Sequence, residues 1–236
     1  MSKVNDDFKA DVGDGRDEAP LPLRVSVYEG LRHRLITGKI APGVGISTRG
    51  LALQLGVSQM PVRDALGRLA AEGAVEIRSK RKIMVPVMTR ARLEEIMHCR
   101  VLLEPAAAVD ALPYIDAARL KAIRVADAAT DESLRVGDVN AYMESNFRFH
   151  SLIYQASPMA TLNRMIEMLW MQFGPFMRVV YGRFGTANLV DQHLAATDAI
   201  ADGDADRLRA AITGDISDGM NLIRESELGL GKERPS

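Results

Sequence analysis

The chain has 236 residues, of which 47% are apolar and 26% charged, as in an ordinary globular protein. It has one cysteine, no apolar signal core near residue 1 and no uncharged run of membrane-spanning length, so we expect a cytoplasmic protein without disulfides or a membrane segment. The net charge of −1 hides an asymmetry, since residues 21–88 carry eleven Lys and Arg against four Asp and Glu, which leaves −8 for the rest. This pattern predicts that only the basic segment binds a polyanion.

Ordered structure is expected to begin after a short tail. Residues 1–20 are rich in Asp, Gly and Lys and poor in apolar side chains, which predicts disorder, and residues 229–236 look like a frayed second tail. Apolar residues recur at helical spacing from Leu23 to Ile36. Gly38 then ends this helix, and Pro42-Gly43 marks a turn.

The stretch from Ser47 to Leu69 predicts two helices joined by a tight turn. Ser47 is placed to cap the first helix, and Gly56 can adopt the left-handed conformation that ends it. Ser58 is expected to cap the second helix by accepting from a backbone N–H, with Pro61 inside the first turn. Helical spacing separates a buried stripe of Val62, Ala65, Leu66 and Leu69 from an outer face of Gln59, Met60, Arg63 and Gly67. This pattern is typical of a helix-turn-helix.

A β-hairpin is predicted directly after the second helix, which Glu72-Gly73 ends. Apolar residues alternate with polar ones on both sides of a turn, at Val75, Ile77, Ile83, Val85 and Val87. The turn carries three consecutive cations, Lys80, Arg81 and Lys82, which suit a wing lying along DNA phosphates. The sequence thus predicts a winged helix-turn-helix domain over residues 21–88.

Long helical periodicities replace the strand pattern from Thr89 onward. We predict helices over about 90–112, 117–129, 139–156, 160–184 and 205–227, and one more that begins near Asn188. Pro105 lies inside the first, where it removes a backbone hydrogen bond and favours a kink. The short connections predict an all-α bundle of six to seven helices over residues 89–228, so the fold class is mainly α.

These motifs together resemble the GntR family of bacterial transcription regulators, specifically the FadR subfamily with its all-helical, FCD-type ligand-sensing domain. The resemblance rests on Gly38–Gly43, Gly56–Ser58, Pro61–Leu66, Leu69 and Glu72-Gly73, and more loosely on Arg100–Glu104, Asn146–His150 and His193. It implies a homodimer that binds a palindromic double-stranded DNA operator and is controlled by a small organic acid, more often as a repressor than as an activator.

The resemblance assigns DNA contacts to the winged helix-turn-helix. The family's contact positions correspond here to Arg49, Ser58, Arg63 and, at the tip of the recognition helix, Gln59 and Met60. Gln59 replaces a second arginine, and because glutamine suits adenine while arginine suits guanine, we expect an operator altered from the commonest family pattern. Lys82 replaces the wing glycine, so we expect the wing to contact phosphates, whereas glycine would let it approach the minor groove.

The resemblance also implies a metal site at the bundle centre. Many family members hold a divalent ion with one Asp and three His, and the corresponding residues here are Asn146, His150, His193 and Asp215. Two imidazoles, one carboxylate and one amide oxygen suit zinc, manganese, nickel or iron, with positions open for water or a bound acid. From spacing alone, two structural histidines remain the alternative.

Arg100 is the candidate effector-binding residue, because a guanidinium facing a cavity can bind a carboxylate through two hydrogen bonds. An ion pair with Glu104 or Glu95 on the same helix is an equal alternative. We predict a regulator and not an enzyme, since no nucleophile has a partnered base and no carboxylate pair has catalytic spacing. Two other functions stay open: a metal-dependent hydrolase or lyase built on the bundle, and an architectural DNA-binding protein without a ligand.

Overall fold

The computed structural model describes residues 23–79, 82–184 and 192–226. Its amino-terminal part consists of helix α1 (Leu23–Ile36), strand β1 (Gly45–Ile46), helices α2 (Thr48–Leu55) and α3 (Gln59–Ala71), and strands β2 (Glu76–Ser79) and β3 (Lys82–Met84). The predicted helix-turn-helix followed by a hairpin is therefore confirmed. Residues 1–22, Lys80, Arg81 and the predicted carboxy-terminal tail lie outside the described residues.

Local capping explains most of the helix-turn-helix boundaries. The Ser47 hydroxyl accepts from the backbone N–H of Gly50 at 3.1 Å, and Gly56 ends α2 with a φ of 64°. Ser58 occupies the N-cap of α3 in an extended conformation, but its side chain makes no capping hydrogen bond. The predicted Ser58 cap bond is therefore wrong: Ser58 precedes the helix in the extended conformation of an N-cap, and its side chain is exposed to solvent.

The three strands form one antiparallel sheet in the order β1-β3-β2, with Ile77 opposite Ile83 and a bulge between Ile77 and Ser79. Strand β1 is an addition that the sequence did not predict, and it pairs Gly45 with Met84. The predicted alternation fails at Ile77, which is 52% exposed, while Ile83 is buried. Ile77 lies on β2, an edge strand of this small sheet.

The carboxy-terminal part is helical, as predicted. Its helices are α4 (Arg90–Ala111), α5 (Ala117–Val136), α6 (Val139–Tyr154), α7 (Ala160–Phe184), α8 (Gln192–Asp202) and α9 (Ala205–Ser226), with a 3₁₀ turn over Leu112–Tyr114. Helix α4 continues through Pro105. Helix α5 runs seven residues beyond its predicted end, to Val136, and Gly137 caps it with a φ of 72°. None of the helices in the described ranges combines the length and hydrophobicity needed to cross a membrane.

Helix α7 joins the two parts, because α1 packs directly against it. A Cβ atom added to Gly174 of α7 would lie 2.1 Å from the Ile36 carbonyl oxygen, so the helix backbones touch at that point. Polar contacts flank this contact: Arg32 of α1 forms an ion pair with Glu167 of α7, and the His33 imidazole lies 2.8 Å from Glu144 of α6. The buried apolar core is continuous across the contact.

Candidate DNA interface and sensor cavity

Helix α3 has one buried and one exposed face. Val62, Leu66 and Leu69 are at most 1% exposed and fix the helix on the core. The opposite side presents side chains that are all exposed, namely Gln59, Met60 and Arg63, and the predicted contact residues Arg49 and Ser58 are exposed beside it. The helix therefore offers cationic and polar groups to solvent, as a helix that enters a DNA major groove must. Lys82 begins β3, and Lys80 and Arg81 are among the residues that the structure does not describe.

Three of the four residues predicted to bind a metal, Asn146, His150 and Asp215, line a common cavity between α4, α6, α7 and α9. His193 of α8 lies beside Asp215. Candidate ligand atoms of His150, His193 and Asp215 all lie within 4.8 Å of one another. The Nε2 atoms of His150 and His193 are 3.2 Å and 3.6 Å from different oxygens of Asp215. Asn146 lines the cavity, which has a volume of about 20 Å³. That volume admits a water molecule or an ion.

Asp215 is the electrostatic centre of this cavity. Burial alone would raise the pKa of its carboxyl, but the neighbouring imidazoles of His150 and His193 and the guanidinium of Arg100 outweigh burial and lower the pKa to about 2. Asp215 is therefore an anion at neutral pH, held by cationic or hydrogen-bonding groups on three other helices. Burial also raises the pKa of Tyr181, another residue of the cavity wall, to about 12.

Arg100 makes the predicted ion pair with Glu104 and also lines the cavity. Its Nε and Nη2 donate to Glu104, so the predicted same-helix ion pair exists, and the guanidinium also lines the cavity beside Asp215. It lies between the rings of Trp170 and Phe173, 4.7 Å and 4.6 Å from their centroids. Arg100 and Glu104 are 3% and 0% exposed. Glu95 pairs with Arg92 instead.

Comparison with known proteins shows which family this chain belongs to. The family model described as "Bacterial regulatory proteins, gntR family" matches residues 23–85, and the model of the FCD domain matches residues 95–218. The HTH-type transcriptional regulator McbR of Escherichia coli K12 is 32% identical over 71% of this chain and 76% of its own length.

The chain belongs to the GntR family and carries an FCD domain.

The similarity of this GntR-family regulator to known regulators extends over most of its length. The repressor RspR of E. coli K12 is 26% identical over 86% of this chain and 91% of its own. A solved structure of E. coli McbR/YncC superposes with a TM-score of 0.82 at 27% identity, covering 88% of this chain and 99% of that one. The relatives and the fold are those of DNA-binding transcription regulators, which argues against the hydrolase or lyase alternative.

Several residues around the FCD cavity were missed by the sequence analysis. Glu104 accepts hydrogen bonds from Trp170 and Tyr154 in addition to Arg100, and its position four residues after Arg100 could have indicated the pair. Tyr154 likewise follows His150 by four residues and contacts it. Asp127 contacts His193, which is 66 residues away in the sequence, and no local sequence pattern predicts that contact. Trp170 and Phe173 of α7 also line the cavity.

Proposed function

We propose that this GntR-family regulator is a cytoplasmic, homodimeric repressor that leaves its operator when a small carboxylate binds in the FCD cavity. The single observation that carries the proposal is the contact of one helix, α7, with both functional regions. Trp170 and Phe173 line the cavity, whereas Glu167 and Gly174 contact α1 of the winged helix-turn-helix. A ligand that alters the position of α7 can therefore alter the position of the DNA-binding part.

The small volume of the cavity supports a response to ligand. About 20 Å³ holds a water or an ion, but no organic acid. An effector can enter only if the walls move apart, and α7 supplies part of those walls. Binding would then favour the conformation with the displaced helix, and this difference in affinity is what shifts a two-state equilibrium. An architectural DNA-binding protein would need no such buried polar cavity.

Arg63 tests the DNA-binding part of the proposal. Removing an exposed guanidinium that reaches a base should weaken specific operator binding by about 1–3 kcal/mol, since the chain loses a charged contact but no core packing. We expect this for Arg63→Ala in a gel-shift titration against genomic fragments from its own locus. The control is Arg135→Ala, which removes an equally positive and highly exposed residue of α5. Equal affinities for the two variants would contradict the assignment.

The donor set in the cavity fits a divalent metal ion. Nε2 of His150 is buried and lies near the Asp215 carboxylate without a hydrogen bond of good geometry. His193 adds a second imidazole, and Asn146 contributes an amide oxygen to the same wall. Zinc, manganese, nickel and iron all accept these donors. When bound, such an ion would supply a Lewis acid that attracts the carboxylate of the effector, and Arg100 would orient that carboxylate.

Metal removal tests this part separately. We expect purified protein to contain a divalent metal, and a chelator to lower its melting temperature, because a ligand bound only to the native state stabilises that state by about 2.7 kcal/mol at a hundred times its Kd. The double variant His150→Ala, His193→Ala should lose both the metal and the chelator effect. His98→Ala, at an exposed position on α4, is the control. Wild-type protein that takes up no divalent metal would refute the metal site and leave operator binding as proposed.

A further inference from the structure

The two cavity histidines share one orientation, which the chain imposes through residues outside the proposed ligand set. In each ring Nε2 faces the Asp215 carboxylate, and Nδ1 points away to a different partner. His150 Nδ1 lies 3.0 Å from the Tyr154 hydroxyl, and His193 Nδ1 lies 3.1 Å from Asp127 Oδ1. The His150 side chain is buried, whereas the side chains of Asp127 and Asp215 are 15% and 28% exposed.

The partners of Nδ1 determine where each imidazole carries its proton. Asp127 is a carboxylate and can only accept, so His193 Nδ1 must donate to it. The single hydroxyl proton of Tyr154 is directed to Glu104 Oε2 at 3.0 Å, so that hydroxyl can only accept from His150 Nδ1. In a neutral imidazole the other nitrogen is then a lone pair. When a metal ion is bound, which requires neutral imidazoles, both Nε2 lone pairs would therefore be directed at that ion beside the Asp215 carboxylate.

We propose that Tyr154 and Asp127 are positioning residues of the metal site, each fixing one imidazole with Nε2 directed at the shared ion, and that Glu104 couples Tyr154 to the effector-facing Arg100. This inference rests on the metal site proposed above. Outer partners of metal-bound histidines set the tautomer and the ring orientation, and their loss costs about ten- to a hundred-fold in metal affinity.

Glu104 lies between Arg100, the proposed effector-binding residue, and Tyr154, which contacts the proposed metal ligand His150. Its carboxylate accepts from Arg100 on one side and from Tyr154 and Trp170 on the other, and it is fully buried. A carboxylate effector that draws the guanidinium away from Glu104 would leave a buried anion with fewer donors, which would then hold the Tyr154 proton more strongly. The chain Arg100–Glu104–Tyr154–His150 thereby connects the effector anchor with a metal ligand through contacts between neighbouring side chains.

The test is the affinity of full-length protein for Zn²⁺, measured by competition with a chromogenic chelator. Tyr154→Phe and Asp127→Asn should each raise the zinc Kd by about ten- to a hundred-fold. Tyr114→Phe and Asp110→Asn make the same chemical changes at exposed positions and should leave the Kd within about two-fold. Histidine ¹⁵N NMR of the zinc-loaded wild type should show a protonated Nδ1 on His150 and His193.

Two results would overturn the inference. One is an unchanged zinc Kd in Tyr154→Phe and Asp127→Asn, accompanied by equal losses of melting temperature with and without zinc, which would mean that these residues only pack the core. The other is ligation through Nδ1 in the NMR spectra. A wild type that binds no zinc would remove this inference together with the proposed metal site, whereas operator binding, measured on the same preparation, would show whether the regulator function still holds.

Discussion

Replacing Gly174 with alanine should separate the sensor helix from the DNA-binding part. A Cβ atom at this position would lie 2.1 Å from the Ile36 carbonyl oxygen and 2.6 Å from that of Leu35. Both are backbone atoms, so no side-chain rotation can relieve the overlap. Ordinary contact needs about 3.4 Å, and α7 must therefore move away from the end of α1 by about 1.3 Å.

Two opposing contributions determine the expected size of the effect. Alanine is favoured over glycine in a helix interior by about 0.8–1 kcal/mol. Overpacking a close contact costs about 1–3 kcal/mol, and a clash with a rigid backbone belongs at the upper end. We therefore expect Gly174→Ala to lower the free energy of unfolding by about 2 kcal/mol. Gly67→Ala on α3 is the matched control, because an added Cβ there contacts nothing within 4 Å and only the favourable contribution remains.

Urea unfolding followed by circular dichroism measures both variants, and the difference between them should be about 3 kcal/mol. Limited proteolysis between the two parts adds a local readout, since a displaced α1 should expose the connection after β3. If Gly174→Ala is as stable as Gly67→Ala, the close approach of α1 and α7 does not exist in solution. The proposed route from the cavity to the DNA-binding part would then be wrong.

Two further predictions concern stability. Ser47→Ala should cost about 1 kcal/mol in urea unfolding because it removes a capping bond, whereas Ser58→Ala should cost clearly less; equal losses would contradict the observed caps. Burial would raise the pKa of Glu144, but its contacts with His33 and Lys39 outweigh burial and lower that pKa. The contribution of the Glu144 carboxylate to folding stability is therefore present above the ordinary carboxyl pKa of about 4.3 and is lost as the pH falls through the lowered value. Urea midpoints of wild type and Glu144→Gln should therefore differ most near pH 6 and converge in acid; a constant difference would refute this.

The sequence predicted those features that depend on neighbouring residues. Gly56 and Ser47 mark the ends of short helices through their own backbone and hydroxyl chemistry. The sequence predicted helix ends less well where polar residues occur inside a helix, as in the last two turns of α5. There the Thr130 hydroxyl donates to the Ala126 carbonyl and the Ser133 hydroxyl to the Thr130 carbonyl, so both polar side chains are satisfied within the helix.

Fold class, charge segregation and the exposed face of α3 thus follow from the sequence, because helical periodicity and turn chemistry act over a few positions. The tertiary structure alone decided which side chains meet across the bundle. His193 finds Asp127 at a separation of 66 residues, and Gly174 of α7 meets the end of α1. Such contacts depend on how whole helices pack, since the approach of two helices is set by all the side chains between them, and no local pattern records the outcome.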